Sequence, residues 1–550
     1  MVLLSGGLAV AGQPLAQVQP DAGRIQEQLR VPEPPRKPAA PQIRIEPPAG
    51  EAKVDTPPFF VASFRVTGAT VFREEELLRL LGEPRRAMTL AAVQALAERL
   101  TKLYKERGYI VARALIPAQD VRDGIVEVRV VEGRYERIDI SNASDISEAR
   151  IRGLLGRVTE GALVHGPTLE RAVLLISDLA GIQPKATLEP GAQPGSTNLV
   201  LEIVSTRAAE YDISLDNGGS RFTGRYRLSF GATANSPLNV GDRLSARVLT
   251  SGEKLQSLRL AYEAPLGQSG LRGSAYASET TYKLGDDFAA LQASGAARSW
   301  GGGLAYPVIR SSDLNFRIQF GGEARELVDR IGSFDIVNEK SVRAVQAGGG
   351  GDFRDPVLDG AVTAFQALFS QGRLTLHTPA LIASDAATAR TEGEFHKVSL
   401  GASRLQGLTK NLRLVVNYAG QLASDNLDSS EKFSVGGITG VRAYPSGEAA
   451  GDDVHLLQAE LRYNAGAWRG GRLAPSLFID HARSRINHQV WEGFTGKNDR
   501  TLSGFGIGAE WAIPGLWFAR GWYAHKLGGE AATADRDRVG RLWLQAGMLF

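Results

Sequence analysis

The chain has 550 residues, and its 63 Lys and Arg nearly balance its 60 Asp and Glu, so its charge does not imply a nucleic-acid partner. It contains no cysteine, which excludes disulfide scaffolds, thiolate metal sites and cysteine nucleophiles. No run of about 18 apolar residues is available for a transmembrane helix. A membrane β-barrel stays open as a class, because such a barrel distributes its apolar band over alternate residues.

The N-terminal segment predicts an export signal followed by a tethered helix. Residues 1–16 are small and apolar and resemble the remnant of a signal peptide, although the usual basic start is missing. An apolar terminus without that function is the alternative. Residues 17–31 predict a short, plug-like helix. Residues 32–58 contain nine prolines and predict an extended Pro-rich linker.

The patterning of residues 59–206 predicts two modules with the same order, β-α-α-β-β, at 59–133 and 134–206. The elements of the first are predicted at residues 60–66, 73–81, 89–107, 109–116 and 124–131. Those of the second are predicted at residues 135–140, 145–155, 167–180, 185–189 and 198–204. The recurrence indicates an internal repeat. The strands offer edges able to receive an extended guest chain, and the alternative is that the modules are spacers.

Helical periodicity disappears from residue 208 to residue 550, where apolar and polar residues alternate. This suits a barrel with lipid outside and a wet lumen, whereas a soluble β-sandwich would normally be much shorter. Sixteen strands would leave about 21 residues for each strand and its connection, against roughly 9–11 needed to cross a membrane. Twenty-two strands would leave about 16 residues each, which is tight. We therefore predict α+β modules followed by a membrane β-barrel of sixteen antiparallel strands.

A stretch of glycines and one proline, Gly436 to Pro445, surrounds Arg442 and Tyr444. Glycine permits backbone conformations closed to other residues, and proline fixes φ. The stretch predicts a loop with a specified path that presents these two side chains. An ordinary turn between strands is the alternative.

A carboxylate is predicted on the lumen side of a later strand. In the run from Pro475 to His481, Leu477 and Ile479 take the lipid-facing positions, so Phe478 and Asp480 face inward. An inward carboxylate accepts two hydrogen bonds from a guanidinium and can therefore fix the position of a loop.

This order of tether, paired modules and barrel resembles the outer-membrane two-partner secretion transporters of the haemolysin/haemagglutinin secretion-activation family, whose modules are POTRA domains. Three motifs carry the resemblance: the first barrel hairpin at Asp216, Asn217 and Gly218; the loop signature Val-Arg-Gly-Phe/Tyr, here Val441, Arg442, Ala443 and Tyr444; and the barrel-wall motif of Phe478 and Asp480. The resemblance implies that the loop folds back into the barrel and that Arg442 pairs with Asp480. The alternative is that the two are unrelated. Ala443 departs from the usual glycine and bears on the backbone path at the tip.

The end of the chain predicts a barrel-assembly signal, because Phe550 closes an alternating strand. A coincidental aromatic end is the alternative. Nearby aromatic residues suit either interfacial girdles or lumen packing: Trp511, Trp517, Trp522 and Tyr523. We predict no enzyme activity, cofactor or metal site, since the seven histidines are scattered and no H-E-x-x-H, G-x-S-x-G or Walker pattern occurs.

The function implied by the resemblance is export of a large secreted exoprotein of the adhesin or haemolysin type. The POTRA modules would bind the unfolded partner in the periplasm, and the barrel would pass it across the outer membrane without ATP. Outer-membrane lipid and the barrel-assembly machinery are the other expected partners. The alternatives are a barrel-assembly insertase of the same superfamily, a passive porin or uptake channel, and a surface adhesin.

Overall fold

A computed structural model describes residues 20–29, 42–45 and 57–550. The predicted signal segment and most of the predicted linker lie outside the described residues. In the described N-terminal part, helix α1 spans Ala22–Leu29 and strand β1 spans Gln42–Ile45. Among the described residues, no helix is both long and apolar enough to cross a membrane.

The first module contains two helices and five short strands. Its elements are β2 (Phe59–Val61), β3 (Ser63–Thr67), α2 (Glu74–Leu81), β4 (Arg86–Met88), α3 (Leu90–Glu106), β5 (Arg113–Leu115) and β6 (Ile125–Val131). Strands β3, β6 and β5 form one sheet in that order, and β2 pairs with β4. The apolar stripe of α3, which includes Val93, Leu100 and Tyr104, is buried against this sheet.

Two strands of the first module are shorter than the sequence predicts. The single strand predicted at 60–66 is split, because the N–H groups of Ala62 and Ser63 both donate to the carbonyl of Gly124. The strand predicted at 109–116 shrinks to β5, because the N–H of Tyr109 donates to the carbonyl of Tyr104 in the turn that ends α3.

The second module has two helices between its strands. Its elements are β7 (Arg134–Ala143), α4 (Glu148–Leu155), α5 (Gly166–Ser177), β8 (Ile182–Pro190) and β9 (Ser196–Ser205). The sheet order is β1-β8-β9-β7, and β1 runs parallel to β8 opposite Lys185 to Leu188. The sequence suggests that strands of the modules leave edges open to a guest chain, and the structure shows that the edge at β8 is partly covered by the chain's own β1.

The remaining strands close into one antiparallel barrel. They are β10 (Ala209–Asp216), β11 (Arg227–Asn235), β12 (Arg243–Thr250), β13 (Leu255–Pro265), β14 (Arg272–Lys283), β15 (Ala293–Arg310), β16 (Leu314–Ile331), β17 (Ile336–Asp355), β18 (Ala361–Leu376), β19 (Gly393–Gly407), β20 (Leu412–Ala423), β21 (Asp453–Tyr463), β22 (Ala467–Trp468), β23 (Gly471–Arg485), β24 (Asp499–Ile513), β25 (Trp517–Leu527) and β26 (Gly540–Leu549). Helix α6 (Pro379–Ala386) lies in the connection between β18 and β19. Strand β22 is a two-residue piece that pairs with the start of β23. The prediction of sixteen strands is confirmed.

The second module docks on the short turns at one end of the barrel. Asp178, directly after α5, accepts two hydrogen bonds from Arg310 of β15 at 2.7 and 2.9 Å. The side chain of Leu175 lies close to Gly270 in the turn after β13. A bidentate ion pair and close apolar packing together place this module beneath the barrel.

Candidate functional site

The connection between β20 and β21, residues 424–452, folds into the barrel, and we call it the lumen loop. Its tip is buried: Val441, Ala443 and Tyr444 have no exposed surface. The tip turns back tightly because the N–H of Val441 donates to the carbonyl of Val435 at 2.7 Å. Gly437 supports this path with a φ of +105°, a conformation that residues with a side chain rarely adopt.

Arg442 at the tip of the lumen loop is fixed by two carboxylates of the barrel wall. Its Nε and Nη2 donate to Oδ2 and Oδ1 of Asp480 at 2.9 and 2.8 Å. Its Nη1 donates to Glu460 at 2.7 Å, and its guanidinium lies 3.5 Å from the centre of the Phe478 ring. The backbone N–H of Arg442 also donates to Asp480 at 3.0 Å. We call Arg442, Glu460, Phe478 and Asp480 the arginine clasp.

The charges of the clasp are balanced by a further arginine. Asp480 is fully buried and Glu460 is nearly so, which gives two carboxylates for the single guanidinium of Arg442. Arg462 donates to the other oxygen of Glu460 at 2.8 Å, and its own side chain is half exposed. Because buried charges are costly unless paired and hydrogen-bonded, this geometry gives the loop one favoured position.

The alanine in place of the usual glycine fits the tip without strain. Ala443 does not have a positive φ, so its backbone path is open to a residue with a side chain. Its Cβ packs against the wall where β24 carries Gly504, and a Cβ added to Gly504 would lie 2.5 Å from that of Ala443. The glycine on the wall therefore provides the space that the alanine in the loop requires.

A second buried ion pair holds the lumen loop further along. Glu448 accepts a hydrogen bond from Arg500 of β24 at 3.0 Å and from the N–H of Thr533 at 2.9 Å. The hydroxyl of Tyr444 donates to the carbonyl of Glu530 at 3.0 Å, and the ammonium of Lys526 lies 4.5 Å from its ring centre. The loop is thus tied to the connection between β25 and β26.

Sequence reasoning did not identify Glu460, Glu448 or Arg500 as site residues. Glu460 carried a usable signal, since it occupies a polar position of an alternating strand and lies opposite Phe478 in the β21–β23 register. Glu448 and Arg500 are 52 residues apart in the chain, and no pattern links them before the fold is known.

The first-hairpin motif lies at the seam between β10 and β26, beside the clasp. Asp216 accepts hydrogen bonds from the N–H of Gly218 and from Arg227, at 2.7 and 2.8 Å. The side-chain amide of Asn217 exchanges hydrogen bonds with the backbone of Leu542 and Leu544 at 3.0 and 2.8 Å. Asn217 therefore continues the ladder beyond the last paired strand residues.

Two contacts join the seam to the lumen loop. The hydroxyl of Ser446 donates to the carbonyl of Gly218 at 2.7 Å, and Nε1 of Trp543 donates to the carbonyl of Arg442 at 2.7 Å. Trp543 is buried and points inward from β26. The hairpin motif and the loop signature are thus neighbours in space.

The aromatic residues near the chain end lie in different environments. Trp522 packs against the lumen-loop cluster, whereas Tyr523 is half exposed on the outer face. Trp511 and Trp517 lie edge to face, 3.9 Å apart, near the short turn between β24 and β25. Phe550 exchanges backbone hydrogen bonds with Tyr211 of β10, and its ring stacks on that tyrosine at 5.8 Å.

Helix α1 also lies inside the barrel, against β14, β15 and β16. Ala22 and Ile25 are buried in a small apolar cluster with wall residues that include Tyr282 and Leu327. The N–H of Ala22 donates to Asp329 at 2.8 Å, and Gln26 donates to Ser299 at 2.9 Å. The helix touches the lumen loop where a Cβ added to Gly23 would lie 2.5 Å from that of Ser430.

Comparison with known families agrees with this architecture. Residues 195–511 match the haemolysin secretion/activation protein ShlB/FhaC/HecB, and residues 59–133 match the ShlB-type POTRA domain. The chain belongs to the ShlB/FhaC/HecB family. It is accordingly an outer-membrane β-barrel transporter of two-partner secretion with POTRA modules in the periplasm.

Individual relatives cover most of this ShlB/FhaC/HecB family member. The heme/hemopexin transporter protein HuxB of Haemophilus influenzae is 26% identical over 461 residues, which is 83% of this chain and 80% of that protein. The outer membrane transporter CdiB of Escherichia coli is 24% identical and covers 78% of this chain and 72% of its own. The solved structure of CdiB from Escherichia coli matches with a TM-score of 0.72 at 20% identity, covering 92% of this chain and 93% of that one. The last comparison supports the fold alone.

Proposed function

We propose that this transporter binds one or a few large exoproteins, of the adhesin or haemolysin type, while they are unfolded in the periplasm. It then passes them through the barrel to the cell surface without ATP. The observation that carries the proposal is the filling of the lumen: a sixteen-strand barrel encloses both the lumen loop and a separate helix, α1. Because barrels of this size leave room for a water-filled channel, withdrawal of α1 provides the path.

The two fillings have different roles in this proposal. The arginine clasp keeps the lumen loop in place, since Arg442 makes paired hydrogen bonds with Asp480 and a third with Glu460. Helix α1 donates hydrogen bonds to Asp329 and Ser299 of the wall, and Asp21 at its start lies 3.9 Å from the ammonium of Lys340. It is the segment that leaves in this proposal. Folding of the exoprotein outside the cell supplies the direction of transport.

The edge of β8 is the surface that we propose for capture of the partner. Strand β8 has nine residues, Ile182–Pro190, and only Lys185 to Leu188 are covered by β1. An extended segment of the exoprotein that replaces β1 gains main-chain hydrogen bonds along a longer edge. Since β1 follows α1 by only residues 30–41, displacement of β1 pulls on the segment that leads to the helix.

The absence of cysteine provides a clean test of this exchange. Arg44 and Thr187 are register partners, so the variant Arg44→Cys/Thr187→Cys is expected to form a single disulfide that locks β1 onto β8. Secretion should stop under oxidising conditions and recover with a reductant. Each single variant is the control. Normal secretion by the locked protein would exclude β8 as the capture edge.

The capture role of the modules as a whole has an independent test. Deletion of residues 59–205 in an exporting strain is expected to abolish secretion while the barrel remains in the outer membrane. Membrane fractionation confirms that the shortened protein is present. Undiminished secretion of the exoprotein would contradict binding by the POTRA modules.

Biogenesis requires two further partners in this proposal. Outer-membrane lipid contacts the outward side chains of the strands, such as Leu477 and Ile479, which are 59% and 52% exposed. The barrel-assembly machinery recognises Phe550 at the end of the last strand. Phe550→Ala is therefore expected to reduce the amount of assembled barrel, measured in outer-membrane fractions, without changing secretion per assembled molecule.

A further inference from the structure

A groove of about 310 Å³ lies at the outer rim of the barrel, between the connection after β10 and the connection before β26. We call it the rim groove. Its outer side is formed by Tyr226, Tyr523 and Leu542, which are 71%, 50% and 55% exposed. Leu542 and Tyr523 are register partners on the lipid-facing side of β25 and β26. The groove is therefore open toward the outer leaflet of the membrane.

The inner side of the rim groove carries a marked excess of positive charge. Nε of Arg221 and Nη1 of Arg541 lie 3.1 and 3.0 Å from the carboxylate of Asp535, and Nη2 of Arg225 lies 3.9 Å from it. Arg538 is a fourth arginine in the lining. Three guanidinium groups thus lie beside one carboxylate, and a fourth lines the same groove.

The neighbouring acidic residues do not cancel this excess. Asp287 pairs with Arg221 at 2.5 Å, but Asp537 is engaged by Lys526. Glu530 is engaged by Lys497 and Arg500. Arg541 is nearly buried, and its Nε has no hydrogen-bond partner among the described residues. Because an unpaired buried donor is costly, this arrangement favours an added anion.

We propose that the rim groove binds a phosphate group of a glycolipid in the outer leaflet. Guanidinium groups bind phosphate with paired, charge-assisted hydrogen bonds, so Arg225 and Arg538 are suited to hold the headgroup. Aromatic side chains such as Tyr226 and Tyr523 favour the membrane interface, where the acyl chains of the same lipid begin. A free anion would use the arginines but gain nothing from the exposed apolar side.

The test uses the full-length protein in detergent, with native mass spectrometry to measure lipid binding. The probes are a bisphosphorylated lipid A, the same glycolipid without phosphates, and inorganic phosphate. The variant is Arg225→Gln/Arg538→Gln, which leaves the buried Arg221 and Arg541 in place. The matched control is Arg330→Gln/Arg390→Gln, which removes two exposed arginines from the same end of the barrel.

We expect the wild type and the control to bind the phosphorylated glycolipid about tenfold more tightly than the groove variant. Loss of the phosphates should weaken binding to the wild type by a similar factor and leave the variant unchanged. Equal binding by variant and wild type would overturn the proposal. Inorganic phosphate that binds as tightly as the glycolipid would assign the groove to a free anion and would also overturn it.

Discussion

Two segments of the described chain lie inside the barrel, and different interactions hold them. The lumen loop is fixed to the wall by buried ion pairs: Arg442 with Asp480 and Glu460, Glu448 with Arg500, and Glu431 with Arg325 and Lys397. Within the loop itself, Lys432 pairs with Asp452. Helix α1 is held by the apolar side chains of Ala22 and Ile25, by hydrogen bonds from Ala22 and Gln26 to the wall, and by one longer ion pair at its start, Asp21 with Lys340 at 3.9 Å. The lumen loop is thus held mainly by several buried ion pairs, and α1 is held mainly by apolar packing.

The difference indicates which segment can move. Breaking a buried ion pair typically costs about 3–5 kcal/mol, because the remaining charge stays buried without a partner. Full burial of one isoleucine contributes about 1.5–3 kcal/mol, and its loss leaves no stranded charge. The loop is thus the more strongly held segment, and α1 is the one that we propose leaves the lumen. The following substitutions test this contrast.

Removal of the clasp arginine should have the largest effect. Arg442→Ala leaves the buried Asp480 without its guanidinium and leaves Glu460 with Arg462 alone, so we expect a loss of about 3–5 kcal/mol in barrel stability and little or no secretion. The folded barrel should still be present in the outer membrane. Asp480→Ala should behave similarly. Secretion assays and thermal unfolding in detergent measure the two effects.

Arg462→Ala is the matched control for the clasp. It removes an arginine from the same carboxylate, Glu460, but its side chain is half exposed and salt bridges of that kind contribute about 0–1 kcal/mol. We expect near-normal secretion. If both arginine variants secreted normally, the lumen loop would be an ordinary turn with no role in transport.

A steric clash between the barrel wall and the tip of the lumen loop should have an intermediate effect on barrel stability. Gly504→Ala places a Cβ 2.5 Å from that of Ala443, and we expect a destabilisation of about 1–3 kcal/mol from overpacking. Adding Ala443→Gly should recover part of it, which a double-mutant cycle on the unfolding temperature detects. Gly322→Ala is the control, since its nearest neighbour is 3.5 Å away. Strictly additive effects would show that the two positions do not touch.

Release of the helix should affect conductance more than stability. Ile25→Asp places a charge in the apolar cluster around α1, so we expect the helix to leave the lumen. Single-channel recordings in planar bilayers should show a higher open probability, with the unfolding temperature of the barrel nearly unchanged. Ile25→Leu is the control and should resemble the wild type. Unchanged conductance would mean that α1 is as firmly held as the loop.

The smallest effect on conductance is expected from a substitution in β1, the strand that follows α1 along the chain. Ile43→Pro removes a donor from β1 and packs poorly against the second module, so β1 should leave β8 more often. We expect a modest rise in conductance, smaller than that of Ile25→Asp. Arg44→Ala keeps the backbone and the apolar contact and is the control. A rise in conductance as large as that of Ile25→Asp would mean that the pairing of β1 with β8 is the main interaction that keeps α1 in the lumen.

The sequence predicts the features of the molecule that depend on repeated or alternating residue patterns. Period-two alternation alone orients Asp480 inward, because Leu477 and Ile479 must face lipid. Pairing of Arg442 with Asp480 came only from a family resemblance, and the structure brings the two side chains together. The other charged residues of the site, such as Glu460, can be identified only once the strand register is known.

Short-range patterns fail where tertiary contacts decide the structure. Strand β1 has only four residues, and its pairing with β8 depends on a partner more than a hundred positions away. The position of α1 in the lumen depends on contacts with wall residues such as Asp329, which is 307 residues from Ala22 in the chain. Local residue periodicity therefore cannot predict the pairing of β1 with β8 or the contact of Ala22 with Asp329.

The seam between β10 and β26 also has a consequence for folding kinetics. Five residues of β10 and β26 are register partners there, Asp212 to Asp216 with Gln545 to Leu549, whereas β10 and β11 pair over eight. Backbone hydrogen bonds between Tyr211 and Phe550 and from Asn217 to Leu544 extend the seam at its two ends. Hairpins between neighbouring strands close short loops, but the seam joins distant positions such as Asn217 and Leu542, which are 325 residues apart. We therefore expect closure of this ladder, which joins the most distant parts of the chain, to be the last and slowest event of barrel formation, with the amide of Asn217 engaging only then.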